Sequence, residues 1–211
     1  MKKFVREPGN FLTHFIPALL TVPAAVIMIS SATNSEKFYS ALIFGAAFII
    51  LFFTSSLYHS VPRTQKGIDN WRTVDFCAIY IMIAGSYTPT IVVLFEGWQQ
   101  WLMLLIIWGI ALAGIILKLG GKIQNPKVSL GIYIAMGWLV IFVINELLKS
   151  LPPEALYWFF AGGVSYMIGT VFFYYDKPWI EDYFGCHEVW HICVFGGAAS
   201  HYVYTLQYLI K

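Results

Sequence analysis

The chain has 211 residues, of which 59% are hydrophobic, 18% aromatic and only 11% charged, with a formal net charge of +2. This is more apolar surface than the core of one soluble domain can bury, which excludes an ordinary soluble protein and predicts an integral membrane protein. The small positive charge gives no reason to expect a nucleic-acid partner.

Apolar stretches follow one another along the whole chain. Each is close to the roughly 20 residues that a helix needs to cross about 30 Å of hydrocarbon. The connecting segments are short, and the alternating strands of about ten residues that form outer-membrane barrels are absent from the sequence. We therefore predict an all-α membrane protein, a single domain of residues 1–211 that folds as a bundle of seven transmembrane helices. The predicted spans are residues 12–31, 38–60, 72–95, 99–118, 128–148, 154–175 and 187–210.

The basic residues are distributed unevenly between the two sides of such a bundle. Residues 12–31 are longer than the hydrophobic region of a signal peptide, so we count them as a span. With seven spans, ten of the thirteen Lys and Arg residues fall on the side of the N-terminus and three on the other side. The positive-inside rule then predicts a cytoplasmic N-terminus and a C-terminus outside.

Four ionisable side chains are predicted at one depth, near the cytoplasmic face. His59 lies at the end of the second span, Asp75 at the start of the third, and His187 and His191 at the start of the seventh. The last two are four residues apart, so they share one face of their helix. Ionisable groups are costly there, by about 2.5–3.5 kcal/mol for Asp on insertion scales, so they need partners or a function.

A metal site would provide both. Three neutral imidazoles and one water form the open tetrahedral arrangement of catalytic zinc, so we predict that His59, His187 and His191 bind Zn²⁺. Asp75 could orient a ligand imidazole or accept a proton from the water as general base. Ser55, one turn before His59 on the same helical face, could hydrogen-bond to Asp75 or the water, or help to stabilise an oxyanion. Asp75 and Ser55 are thus the candidate catalytic residues.

Three neighbouring polar residues receive other interpretations. His14 lies near a span end and is interpreted as an interfacial residue. His201 lies about 15 Å further along the helix axis than His191, so it cannot share the metal and is expected in polar packing or a separate feature. Cys186 precedes His187 directly and should diverge from it by about 100°, so we expect it to be a bystander.

Taken together, these motifs resemble a known family. The sequence has SxxxH at residues 55–59, Asp75 ahead of the segment Gly85–Pro89, and HxxxH at residues 187–191. This combination resembles the hemolysin III branch of the progestin and adipoQ receptor family, within the alkaline-ceramidase-like superfamily of membrane hydrolases. The resemblance extends over essentially the whole chain. Its short N-terminus is similar to that of bacterial members, which implies a multi-pass protein of the bacterial cytoplasmic membrane, the plasma membrane of that cell.

The resemblance also implies roles for individual residues. It implies zinc bound by His59, His187 and His191, with Asp75 and Ser55 around the bound water, and it likewise implies a cytoplasmic N-terminus. Relatives that cleave ceramide imply hydrolysis of a lipid amide, whereas the name of the branch implies cytolysis.

Three functions follow as hypotheses. The first is a zinc-dependent hydrolase that cleaves an amide or ester of a membrane lipid and contributes to lipid homeostasis. The second is a receptor- or sensor-type regulator of membrane state with structural zinc, which is disfavoured because structural zinc usually has four protein ligands. The third is a pore-forming cytolysin, which the sequence disfavours because it contains no amphipathic helix with a polar stripe. We favour the hydrolase, with a membrane lipid as its substrate or ligand.

Overall fold

The computed structural model of the protein describes residues 5–180 and 183–211. Lys2 and Lys3, which contribute to the charge asymmetry, lie outside the described residues. Within those ranges the chain forms eight α-helices, which confirms the all-α class. The helices are α1 (Pro8–Ser30), α2 (Ser35–Ser60), α3 (Gln65–Leu94), α4 (Gly97–Leu119), α5 (Pro126–Trp138), α6 (Ile144–Ser150), α7 (Pro153–Tyr175) and α8 (Cys186–Thr205). A short antiparallel pair of strands, β1 (Pro178–Ile180) and β2 (Phe184–Gly185), lies between α7 and α8.

Five helices, α1, α2, α3, α4 and α7, are long and apolar enough to cross a membrane. α5 and α6 form a pair bent by 53° and count as a sixth span only if they are taken together. α8 occupies the position of the last predicted span and has 20 residues, but its polar first turns leave it outside this group of five. The protein is therefore a helical membrane protein, and the count of seven spans stays a prediction.

The bend between α5 and α6 differs from the single straight span that was predicted over residues 128–148. A 3₁₀ turn, Leu139–Phe142, separates the two helices. The hydroxyl group of Tyr87 on α3 donates to the carbonyl oxygens of Met136 (3.1 Å) and Gly137 (2.7 Å). The carbonyl oxygen of Met136 still accepts from the backbone N–H of Leu139, three residues further on, which is the 3₁₀ pattern. A side chain inserted into the helical ladder is a known cause of sharp kinks, and here it comes from another helix.

The core of the bundle is formed where α2 packs between α1 and α3. Aromatic residues of α2, including Phe44 and Phe52, are fully buried there. Helices in lipid associate through close packing, which small residues permit. Gly85 of α3 is an example, because an added Cβ atom would lie 2.6 Å from the Cβ atom of Ala47 on α2.

Three helix ends that carry histidines meet at one end of the bundle. α7 packs along α8, and α8 in turn contacts α1. The backbone N–H of Glu7, just before α1, donates to the carbonyl oxygen of His59 at the end of α2 (3.1 Å). Thr13 of α1 contacts His191 of α8. We call this region, formed by the starts of α1 and α8 and the end of α2, the histidine end.

Candidate metal centre

The structure brings the three predicted metal ligands together at the histidine end. His59 comes from the last turn of α2, and His187 and His191 come from the first two turns of α8. One potential ligand nitrogen from each ring lies within 4.8 Å of those of the other two. The ring centroids are 4.7–5.4 Å apart. Among the described residues, this group consists of the three histidines alone, so the neighbouring Cys186 is not part of it.

Each of the three rings is held by a hydrogen bond at Nδ1. The Nδ1 atom of His59 lies 2.5 Å from a carboxylate oxygen of Glu7, and that of His187 lies 3.1 Å from a carboxylate oxygen of Asp176. An ionised carboxylate can only accept, so both rings donate through Nδ1–H. A neutral imidazole then has its lone pair on Nε2, which is the state of a histidine that binds a metal.

The ring of His191 is held by a hydroxyl group instead. Its Nδ1 atom lies 2.9 Å from the Oγ1 atom of Thr13. That hydroxyl group has one proton, which it can donate to the backbone carbonyl of Gly9 or Asn10, each 3.0 Å away. Thr13 is therefore placed to accept a hydrogen bond from His191, and this ring too presents Nε2 as its free nitrogen.

An unpartnered nitrogen tests whether these residues fit a metal ion. His59 is only 2% exposed, and its Nε2 atom is buried with no hydrogen-bond partner. A buried polar atom without a partner costs about 1–3 kcal/mol, so such atoms are rare unless something binds them. Three rings held at Nδ1, one of them with a buried and unpartnered Nε2 atom, fit a divalent ion that prefers nitrogen ligands. The three histidines would supply three protein ligands, the number found in catalytic zinc sites.

Glu7 is fixed to the end of α2 by several contacts. Arg6 forms an ion pair with Glu7 and donates to the carbonyl oxygen of Tyr58 (2.7 Å). Burial alone would raise the pKa of Glu7. The hydrogen bond with His59, together with the nearby charges of His59, Arg6 and His187, outweighs that effect and lowers the pKa below its usual value. Glu7 therefore remains an acceptor for His59 over a wide pH range.

Asp176 plays the corresponding role for His187 at a more exposed position. It ends α7 in a left-handed backbone conformation (φ 41°), which Asp tolerates better than most residues. Its hydrogen bond with His187 lowers the pKa of the carboxyl group, against a smaller opposing effect of burial. The side chain is 61% exposed, so water competes with this contact more than with that of Glu7.

Three residues that hold the imidazole rings, Glu7, Thr13 and Asp176, were not among the predicted site residues. Two of them carry a weak signal, because Glu7 and Thr13 stand among the few polar residues at the start of an otherwise apolar helix. Nothing in the sequence distinguishes Asp176 from an ordinary polar residue between helices.

The two candidate catalytic residues are buried side by side near the three histidines. Ser55 is 1% exposed on α2 and Asp75 is 8% exposed on α3. The hydroxyl group of Ser55 is within hydrogen-bonding reach of the Asp75 carboxyl group, and His187 is close enough to interact with that carboxyl group electrostatically. The Asp75 carboxylate is not part of the group of side chains that could hold one metal ion together. Its catalytic role, like that of Ser55, stays a prediction.

The interpretation of His14 as an interfacial residue is wrong. Its side chain is only 3% exposed, and its ring stacks on that of His191 with 3.7 Å between centroids and 21° between planes. The reason is that α1 begins at Pro8, which places His14 two turns inside the helix on the face that contacts α8. His201 agrees with the expectation of polar packing, since its Nε2 atom lies 3.2 Å from the carbonyl oxygen of Phe159.

A cavity of about 290 Å³ leads from the surface at the histidine end toward the cluster. Its walls include Glu7 and Asn10 on one side, His59 and His187 at the base, and Asp176 beside the strands. The cavity provides a path by which water or a cation could reach His59 and His187, the two histidines of the cluster that line it.

Known proteins are similar to this chain over nearly its full length. Hemolysin-3 of Bacillus cereus is 34% identical, with 100% of this chain and 95% of that protein covered. The human monocyte to macrophage differentiation factor is 28% identical over 96% of this chain and 84% of its own length. The adiponectin receptor protein of Drosophila melanogaster is 22% identical over 93% of this chain but only 49% of its own length. Residues 2–202 match the model of the Haemolysin-III related family, to which this chain therefore belongs.

Proposed function

We propose that this protein is a zinc-dependent hydrolase that cleaves an amide or ester bond of a membrane lipid. The observation that carries the proposal is the set of three buried histidines, each held through Nδ1 with Nε2 left for a metal. A hydrolase of water-soluble substrates would have little reason to build such a site between apolar helices. A lipid, by contrast, can bring a scissile bond to that depth.

The proposal includes a specific membrane arrangement. The bent pair of α5 and α6 and the polar helix α8 complete seven spans, with the N-terminus in the cytoplasm and the C-terminus outside. The excess of basic residues on the N-terminal side supports this orientation. The histidine end then faces the cytoplasm, and the membrane is the bacterial cytoplasmic membrane.

In this mechanism the chain positions the reacting groups. A bound zinc ion would supply Lewis acidity toward the carbonyl group of the lipid. Asp75 accepts a proton from the attacking water and returns it to the leaving nitrogen or oxygen as the C–N or C–O bond breaks, and the hydroxyl group of Ser55 holds the Asp75 carboxyl group in place. Glu7, Asp176 and Thr13 fix the three imidazole rings, so little reorganisation is needed when the substrate binds. The apolar helices exclude bulk water, which strengthens these electrostatic interactions.

A comparison of two aspartate variants tests this function. Purified protein would be analysed for zinc per chain by elemental mass spectrometry and then incubated with ceramide and with phosphatidylcholine in mixed micelles, with release of fatty acid measured. We expect Asp75→Asn to keep its zinc while product formation falls about a hundredfold, the usual scale of general-base catalysis. Asp69→Asn, an exposed change on the same helix, should alter neither quantity. Zinc-loaded wild-type protein that releases no fatty acid from either lipid would contradict the proposal.

The name of one relative favours a second candidate. The Drosophila protein is called an adiponectin receptor, so a receptor-type regulator that binds a lipid or partner without cleaving it is the alternative. In that case zinc would be structural, and its removal would lower thermal stability while wild-type protein shows no turnover. The fatty-acid measurement therefore separates the two functions.

A further inference from the structure

The first two turns of α1 form a polar wall beside the three histidines. Glu7, Asn10 and His14 follow one another at intervals of three and four residues, which places them on one face of the helix. Glu7 holds His59, and Thr13, next to this face, holds His191. The side chains of Asn10 and His14 do not hold any of the three imidazole rings by a hydrogen bond.

Both residues are left with unmet hydrogen-bonding capacity. Neither nitrogen of His14 has a hydrogen-bond partner, although the side chain is only 3% exposed. The backbone carbonyl of His191 lies nearby but without hydrogen-bond geometry. Asn10 donates to Glu7 through Nδ2 (3.4 Å), while its Oδ1 atom is buried without a partner. Each unmet group costs about 1–3 kcal/mol, so the free energy of folding alone does not favour this arrangement.

These unmet groups are concentrated in one place. Within the described ranges, six buried side-chain atoms lack a partner, and five of them lie at the histidine end. They are Arg6 Nε, Asn10 Oδ1, His14 Nδ1, His14 Nε2 and His59 Nε2. A metal ion would satisfy only the last of them. The others need a polar ligand or water.

Stacking alone does not explain a histidine at position 14. The ring packs on His191 and meets Phe52 edge-on, with 4.9 Å between centroids. A phenylalanine could make both contacts without burying two polar nitrogens. The nitrogens themselves therefore require a partner.

The position of the wall indicates what that partner is. Asn10 lines the 290 Å³ cavity, and His14 lies one turn deeper, against His191. Asn10 therefore lies beside the route to His59 and His187, which line the same cavity, and His14 lies beyond it against the third histidine. A neutral imidazole offers one donor and one acceptor, and the free Oδ1 atom of Asn10 offers an acceptor.

We propose that Asn10 and His14 form a polar subsite next to the metal centre, which binds a neutral ligand group that carries both a hydrogen-bond donor and an acceptor. The subsite rests on the metal-dependent function proposed above and specifies which residues recognise the polar part of the lipid. Two probes of similar size test it. Acetohydroxamate has a carbonyl group and an N–H donor, whereas acetate binds metals without donating a hydrogen bond.

The experiment measures zinc per chain first and then the affinity for each probe, by isothermal titration calorimetry on zinc-loaded protein. We expect His14→Phe and Asn10→Leu to keep one zinc per chain. Their affinity for acetohydroxamate should fall about tenfold, the scale of a buried hydrogen bond. In Asn10→Leu the affinity for acetate should change less than about threefold, because acetate has no proton to donate to the Oδ1 atom that is lost. His14→Gln keeps a donor and an acceptor, so it should recover part of the affinity that His14→Phe loses. His201→Phe, which removes a partly buried imidazole elsewhere on α8, is the matched control.

Unchanged affinity for acetohydroxamate in both zinc-loaded variants would overturn the subsite. Loss of zinc from both variants would also overturn it, because the two side chains would then support the ligand rings instead of binding a probe. If His14→Phe does not fold, Asn10→Leu decides the question by the same criterion. Wild-type protein that binds no zinc would instead remove the proposed function, and the subsite with it.

Discussion

α8 carries a buried histidine, His191, near its first end and a partly buried one, His201, near its second end, and the two differ in the groups around the ring. At the first end, His191 is fixed through Nδ1 by Thr13 and lies within metal-sharing distance of two other rings. Near the second end, His201 stacks on Phe159 (5°, 5.4 Å) and meets the backbone carbonyl of that residue. Spacing alone does not distinguish a ligand from a packing residue. The surroundings of the ring nitrogens distinguish the two, because only His191 combines a ring held through Nδ1 with neighbouring imidazoles that could bind the same ion.

The largest expected effect separates these two histidines directly. His191→Ala should weaken zinc binding by at least about a hundredfold, since the binding free energy of a zinc site, about 10–16 kcal/mol for structural sites, is shared among its ligands. His201→Ala should leave zinc affinity unchanged. The measurement is a competition titration with a chelator of known affinity. Equal zinc affinities of the two variants would remove the distinction between the ends of α8.

A second prediction concerns only the surroundings of His201. An added Cβ atom at Gly162 would lie 2.2 Å from Cδ2 of His201, so Gly162→Ala should lower the free energy of unfolding by about 1–3 kcal/mol through overpacking. Gly163 has nothing within 4 Å of such an atom, and Gly163→Ala should be neutral or slightly stabilising. Equilibrium unfolding in mixed micelles measures both changes. Zinc affinity should stay constant in the two variants, and a loss in Gly162→Ala would couple the ends of the helix.

A third prediction concerns the histidine end and leaves the three candidate metal ligands unchanged. Glu7→Ala removes the acceptor of His59 and should weaken zinc binding about 10–100-fold, the usual cost of losing a group that orients a metal ligand. Glu36→Ala, at an exposed carboxylate in the first turn of α2, is the control. The chelator competition again provides the measurement. An affinity equal to that of the control would mean that the ring of His59 is held by packing alone.

The sequence was sufficient for those parts of the fold that depend on local composition. Six of the seven predicted spans coincide with continuous helices, most of which begin a few residues earlier than predicted because the helix continues into flanking residues. The break in residues 128–148 was not predictable from that stretch, since it depends on Tyr87 of another helix. The spacing and predicted depth of His59, His187 and His191 were enough to indicate the cluster that the structure forms.

The groups around that cluster were not predictable in the same way. Glu7 lies outside the first predicted span, and its role depends on the fold of the N-terminal segment against the end of α2. The burial of His14 likewise follows from the contact of α1 with α8, which no local pattern reveals. Tertiary contacts therefore determine the polar surroundings of this site, whereas local sequence was enough to indicate its candidate ligands.

The smallest expected effect compares two surface carboxylates. Asp176→Asn removes the charge beside His187 while keeping a side chain that tolerates the left-handed backbone at this position. We expect zinc affinity to fall by less than about tenfold, less than for Glu7→Ala, because the Asp176 side chain is 61% exposed and water can replace part of its hydrogen bond. Asp69→Asn removes a carboxylate of similar exposure that pairs with Arg72 instead of a histidine, and should not change zinc affinity. If Asp176→Asn weakened zinc binding more than Glu7→Ala, the anchoring of His187 would outweigh that of the more deeply buried His59. The solvent exposure of each carboxylate would then not determine how much it contributes to zinc affinity.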